Sequence, residues 1–276
     1  MEHISGNPFI YGGPVPPSYF IGREDEVRLT FDQVASPARG SVAISGDRRI
    51  GKTSLLQYVC DPTIIENWGL SLEEYLFVYL DCPTIGRFTP SRFWQRILTL
   101  LLRQVRETSP TSLVETIEDV LEGETITNTD FEIILDEIYK TGRVLALLLD
   151  EFEWVIDPED ERTTRVFLSG LRALTARRPR MLSLIVATRE ELTILCRLIK
   201  FSTSPFYNNF VFKRLRPFTK EEVNQLIDTY LKDSDIAFTN RDKEFVYEVS
   251  GGHPYWAQHA CYELFERYLE EGREKS

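Results

Sequence analysis

Gly46-Asp47-Arg48-Arg49-Ile50-Gly51-Lys52-Thr53 is the stretch that decides the fold of this chain. It satisfies the spacing G-x-x-x-x-G-K-[ST] and sits where that spacing has to sit. Val42-Ala43-Ile44-Ser45 before it reads as a short buried strand, and Ser54-Leu55-Leu56-Gln57-Tyr58-Val59 after it reads as a helix. A glycine-rich turn between strand and helix aims several backbone N–H groups at one point. The helix N-terminus adds its positive dipole end there, so polyphosphate is the natural ligand. Gly46 and Gly51 allow backbone conformations and a close approach that a Cβ would block. Lys52 is expected to reach the β- and γ-phosphates of ATP as a point charge, and the Thr53 hydroxyl to ligate Mg²⁺. Asp47, Arg49, Ile50 and Ser54 complete the residues expected to line the nucleotide, ATP or ADP. Chance supplies such a pattern in on the order of one per cent of chains of this length.

A second stretch supports the first. Val144-Leu145-Ala146-Leu147-Leu148-Leu149 is an unbroken apolar run that ends in Asp150-Glu151. A run without alternation suits a central strand of a parallel sheet covered on both faces. Carboxylates at its C-terminal end would lie at the edge where α/β proteins bind ligands. This is the Walker B arrangement. Asp150 is expected to hold Mg²⁺ through water, and Glu151 to polarise the attacking water as general base. Glu153, Asp157, Glu159, Asp160 and Glu161 read as solvated loop.

Composition narrows the alternatives. At 276 residues and 42% apolar, the chain can bury a sizeable core, so one large domain, or one plus a small lid, is expected. Its 32 basic and 43 acidic residues give a net charge of −11. That balance disfavours a protein whose main task is to grip a nucleic-acid backbone, though a local basic patch could survive the average. Cys60, Cys82, Cys196 and Cys261 form no C-x-x-C pair and read as reduced core residues of a cytosolic protein. His3, His253 and His259 have no zinc spacing. No apolar run reaches membrane-spanning length, and the N-terminus lacks an export signal, so a soluble cytoplasmic protein is expected.

Strands and helices alternate along the chain, which predicts a parallel sheet with right-handed crossovers. After a Pro- and Gly-rich start, helix is expected over residues 24–34, then strand over 42–45 and 76–80. Thr89-Pro90 opens a long amphipathic helix to about residue 107, with Thr89 as its cap. Helices near 112–121 and 129–140 precede the Walker B strand. Helix over 162–176 and strands over 183–187 and 210–215 complete the set of five strands. Pro217-Phe218 marks a boundary, so residues 1–216 are expected to form the core (1–18 an extended leading segment) and 217–276 a helical lid. In the lid, Thr219-Lys220-Glu221-Glu222 is a capping box for a helix to about 232. A second helix is expected over 240–250, ended by Gly251-Gly252, and a third from Pro254 to about 271.

Over nearly its whole length the chain resembles an AAA+-related P-loop ATPase of the STAND and archaeal-ATPase branch. Tyr19-Phe20-Ile21-Gly22-Arg23-Glu24 is similar to that group's hydrophobic-hydrophobic-Gly-Arg-Glu motif, which implies that Gly22 and Arg23 lie on the adenine side of the nucleotide. Ile185-Val186-Ala187-Thr188-Arg189 resembles the fourth strand ending at the sensor position, which implies a catalytic role for Arg189. Gly252-His253-Pro254 matches the lid's Gly-x-Pro motif, which implies that Pro254 contacts the base. Each has a plainer reading: Arg189 paired with Glu190 or Glu191, Gly251-Gly252 as a helix stop, Arg23 as a solvated helix start. Arg48 and Arg49 read as solvent-facing, and Phe93, Trp94, Tyr255 and Trp256 as core or lid packing.

The chain departs from ring-forming relatives. Phe206-Tyr207-Asn208-Asn209-Phe210, before the fifth strand, has no arginine finger, and Arg197 comes early. Where such a finger operates it contributes roughly 10³–10⁵ in rate, so slow hydrolysis is expected. The resemblance implies a switch that closes its lid on ATP, with a protein partner supplying sensing or output, or a longer natural chain doing so. Assembly into a homo-oligomer on binding ATP is a further expectation. Two alternatives stand. One is a nucleic-acid-associated ATPase of origin-recognition or transposition-targeting type, with Arg172, Arg177, Arg178 and Arg180 as its basic cluster. The other is a scaffold that binds nucleotide without turnover.

Overall fold

The protein is described by a computed structural model for residues 6–177, 180–199 and 206–272. The apolar run ending at Asp150 is strand β3 (Val144–Asp150), and all seven of its residues are buried. Its position explains the composition. It lies between β2 (Tyr75–Asp81) and β4 (Leu182–Thr188), with β1 (Ser41–Ser45) beyond β4 and β5 (Phe210–Arg214) at the edge. The order is β2-β3-β4-β1-β5, and every pairing is parallel. A strand in the middle of such a sheet has helices over both faces and therefore no polar side. This is the five-stranded parallel P-loop NTPase sheet expected from the sequence.

The chain divides into two compact units. The sheet unit comprises residues 25–46 and 59–214. It contains almost all of α1 (Glu24–Ala35), together with α3 (Pro62–Asn67), α4 (Pro90–Val105), α5 (Thr111–Glu122), α6 (Asn128–Lys140), α7 (Glu161–Ala176) and α8 (Leu192–Leu198). Thr89 caps α4 as expected, accepting from the Arg92 N–H at 3.2 Å. Fully buried Trp94 of α4 stacks on Phe131 of α6 at 4.0 Å, and its indole N–H donates to Asn128 at 2.9 Å. Phe93 and Trp94 are thus core residues, as their helical spacing suggests.

The other unit comprises residues 1–24, 47–58 and 215–276. Its helices are most of α2 (Lys52–Val59), then α9 (Lys220–Tyr230), α10 (Asn240–Ser250) and α11 (Pro254–Glu270). The capping box at Thr219 and Glu222 is present, and Thr239 with Asp242 forms another. Phe9 is 3% exposed and stacks between Tyr230 (5.3 Å) and Phe238 (5.8 Å). Asn7 donates to the Tyr262 carbonyl and to Glu266. Asn7 and Phe9 of the leading segment therefore pack against these helices.

Two short helices, α3 and α8, were not legible in the sequence. Residues 61–63, Asp-Pro-Thr, carried the signal for α3: Asp61 accepts from the N–H groups of Thr63 and Ile64, and Pro62 occupies the first position. Six residues are too few to show a helical period. Among the described residues no helix is long and apolar enough to cross a membrane.

Candidate functional site

Parallel strands put all their C-terminal ends at one edge of the sheet. In register, Asp81 lies opposite Asp150, and Ser45 lies opposite both Thr188 and Arg214. Asp150 is 2% exposed, and both of its carboxylate oxygens are engaged. Oδ2 accepts from the Tyr79 hydroxyl at 3.1 Å and Oδ1 from the Glu151 N–H at 2.9 Å. Tyr79 was not singled out from the sequence. Its signal is alternation: positions 75, 79 and 81 are the half-buried ones of β2. Glu151 is only partly buried and takes φ 46°, ψ 45°, a left-handed conformation that costs a non-glycine residue about 1 kcal/mol or more. Burial, followed by the charges of Asp150 and Glu151, raises the Asp81 carboxyl above its usual value.

Arg189 is exposed, and its partner is neither Glu190 nor Glu191. Its Nε lies 3.6 Å from Glu153 Oε1, and its N–H donates to the same oxygen at 3.4 Å. Glu153, expected as solvated loop, thus ties the short 3-10 helix Phe152–Val155 to the end of β4. The Arg189 carbonyl accepts from the Gly46 N–H at 3.3 Å, so the same residue also fixes the exit of β1. The Thr188 hydroxyl donates to the Glu190 carbonyl at 2.6 Å and shapes that turn.

From β1 the chain runs through Gly46 into the loop and then into α2. Arg49 has φ 63° and Gly51 φ 101°, the latter a region that L side chains rarely adopt. Such left-handed turns make successive N–H groups converge, which suits an anion. Lys52 is 9% exposed, and its Nζ donates to the Asp47 carbonyl at 2.9 Å. Ser54 accepts from the Val15 N–H at 3.3 Å, which links the leading segment to the start of α2. Arg48 and Arg49 are exposed, as expected.

Arg23 corrects one reading. It is not a solvated helix start: it is 4% exposed, and it follows Gly22 (φ 64°) with φ 70° of its own. Nη2 donates to the Ile50 carbonyl at 3.2 Å, and the guanidinium lies 4.9 Å from the centre of the Phe218 ring. Phe218 in turn donates its N–H to the Gly252 carbonyl at 2.7 Å. Gly252 (φ 75°) is more than a helix stop, because a Cβ there would lie 2.1 Å from the Phe218 carbonyl oxygen. Pro254 opens α11, with His253 directly before it. Burial lowers the His253 pKa against the opposing effects of the Arg48 backbone and of Asp47. Within one unit, then, Gly22, Arg23 and the Gly-x-Pro segment gather around the phosphate-binding loop.

The remaining groups are structural. Burial pushes the Cys60 and Cys196 thiols up to about 12 and also raises Cys82 and Cys261, so none is poised as a thiolate. Of the basic cluster, Arg177 pairs with Asp136 at 2.9 Å and Arg180 donates to the Ala38 carbonyl at 2.8 Å. Arg172 is half-buried, and Arg178 lies outside the described residues.

Residues 19–186 match the family described as AAA ATPase domain, a match that spans more than half of the chain. No curated protein sequence matches it significantly. Among solved structures, the Walker-type ATPase of Pyrococcus abyssi is similar, with a TM-score of 0.67 at 16% identity over 96% of this chain and 72% of that one. The Aeropyrum pernix ORC2 protein, solved as ADPNP–ADP complexes, gives 0.64 at 16% identity over 97% and 68%. The RuvB Holliday junction branch migration motor of Thermotoga maritima gives 0.51 at 14% over 93% and 66%. At such identities the likeness concerns the fold.

Proposed function

This chain belongs to the AAA ATPase domain family, and on that footing we propose that it is an ATP-binding, slowly hydrolysing switch that regulates a protein partner. The observation that carries the reading is the attachment of the phosphate-binding loop to the C-terminal helices. Arg23 grips the Ile50 carbonyl and covers Phe218, so a change in the loop is felt at the start of the helical segment. A ligand shifts a conformational equilibrium only through contacts that differ between the two states, and this linkage supplies such contacts.

The roles follow from the chemistry of each residue. The loop N–H groups of residues 46–51 and Lys52 bind the phosphates, with Asp47, Arg49, Ile50 and Ser54 in the lining. Gly22, Arg23 and Pro254 form the base side. Thr53 and Asp150 are the residues that would hold Mg²⁺. Among the described residues no three His, Cys, Asp or Glu groups could hold a metal by themselves. One hydroxyl and one carboxylate, completed by phosphate oxygens and water, is the sparse oxygen set that magnesium uses with nucleotides. When bound, the metal supplies charge neutralisation on the phosphate oxygens. Asp150 is prepared for this because Tyr79 and the Glu151 N–H fix its orientation. Glu151, partly exposed at the strand end, takes the proton of the attacking water. Arg189 reaches the phosphates only if it leaves Glu153, and its sensor role is proposed on that condition.

Slow turnover is proposed because residues 206–210 offer no arginine finger. A partner protein would supply one, and assembly into a homo-oligomer on ATP is proposed separately. A cytoplasmic setting suits four free thiols and an ATP ligand. A nucleic-acid role is not favoured, since Arg177 and Arg180 are already engaged within the protein.

The test is ATP turnover by the wild-type protein and by Glu151→Gln, read beside particle mass with and without ATP. Slow wild-type turnover that falls roughly 10²–10⁴-fold in the variant, with nucleotide binding intact, is expected. Turnover unchanged by the substitution removes Glu151 from its role. Binding without any wild-type turnover turns the switch into a scaffold.

A further inference from the structure

Arg49 is exposed and yet has a partner. Its guanidinium carbon lies 4.3 Å from the centre of the Tyr255 ring, in the first turn of α11. A second observation is that residues 47–58 belong to the compact unit of the C-terminal helices, whereas the strand that precedes them in sequence belongs to the other unit. The Tyr255 ring is itself set by Tyr11 and Trp256, both edge-on to it at 6.0 and 4.8 Å.

We propose that Arg49 and Tyr255 are a coupling pair, positioning residues that lock the phosphate-binding loop to the N-terminus of α11 so that the two move as one piece. Arg49 suits the task because a planar guanidinium stacks on an aromatic face, whereas it can also turn to a phosphate oxygen. Its left-handed backbone, φ 63° in a non-glycine residue, is held only if its surroundings hold it. The proposal deepens the nucleotide-switch reading and rests on it for its meaning. The lock itself is a property of the protein without ligand.

The experiment is a double-mutant cycle on the full chain, read by amide hydrogen exchange without nucleotide and then by ADP affinity. The variants are Arg49→Ala, Tyr255→Leu, their combination, and Tyr255→Phe. A cation–π contact at an exposed site corresponds to about a two- to fivefold effect. Tyr255→Leu should speed exchange in residues 47–52 by that factor, and Arg49→Ala should do so in residues 253–258. The double variant should be no worse than either single one, and Tyr255→Phe, which keeps the ring face, should match the wild type. Effects confined to the mutated segment, or adding fully in the double variant, overturn the pair. ADP affinity should follow the same non-additive pattern. If the wild type binds no ADP, the nucleotide reading fails while the exchange cycle still decides the lock.

Discussion

The two compact units hold their functional groups by different physics. In the sheet unit, Asp150 is carried by a seven-residue strand that is buried throughout, and its neighbours in register are set by backbone ladders. In the other unit, the loop carrying Lys52 and the start of α2 are steadied by single side chains: Arg23 on Ile50 and Phe218, Tyr255 on Arg49, and the Ser54 hydroxyl on the Val15 N–H. A strand core loses little when one surface partner is removed. A loop held by a few directional contacts has no such reserve, which is what a nucleotide-responsive segment requires. The sheet unit thus carries the carboxylates proposed for the chemistry, and the side-chain-tethered one the loop proposed to grip phosphate.

The contrast can be broken most strongly at Lys52. Lys52→Ala removes charge-assisted contacts to the phosphates and should weaken ATP binding by roughly a hundredfold or more. The fold should survive, because the Lys52 ammonium makes a hydrogen bond to its own loop, at the Asp47 carbonyl. Titration calorimetry on the folded variant decides it, and retained affinity would remove the loop from its proposed role.

Gly252→Ala tests the tethered unit next. The new Cβ meets the Phe218 carbonyl at 2.1 Å with φ 75°, so this junction must shift. A loss of about 2–4 kcal/mol is expected in urea denaturation. An unchanged midpoint would show that the Phe218–Gly252 contact yields freely.

Tyr79→Phe should be milder. It deletes the hydroxyl on Asp150 while leaving the ring, and the cost in stability should be about 1–3 kcal/mol. The sharper readout is turnover at fixed ATP and varied magnesium. A higher magnesium requirement is expected if Tyr79 orients Asp150, and an identical titration would argue that it does not.

The smallest effect is at Asp81. Its folded pKa lies above the ordinary 3.8, so the ionised group opposes folding. That penalty is absent below the unfolded value, grows as pH rises through the window between the two, and is complete above the folded value. Asp81→Asn should therefore raise stability at pH 7 by less than about 1 kcal/mol, since solvent screens much of the repulsion. The gain should vanish near pH 3. A gain of equal size at both pH values would assign it to something other than charge.

The sequence by itself determined the phosphate-binding loop, the Asp150-Glu151 strand end, the parallel sheet, and the capped helices at Thr89 and Thr219. Each is a local code, in which a few adjacent residues fix backbone conformation or burial wherever the rest of the chain goes. Only the tertiary structure decided the partners. Arg23, read either as an adenine-side residue or as a solvated helix start, is a buried clamp on Ile50, and Arg189 chose Glu153 over the acids beside it. Tyr79 reached Asp150 from another strand, and Arg49 found Tyr255 two hundred residues away. Long flexible side chains can reach many positions. Which one they take depends on where the packed core places distant backbone, and no local pattern encodes that.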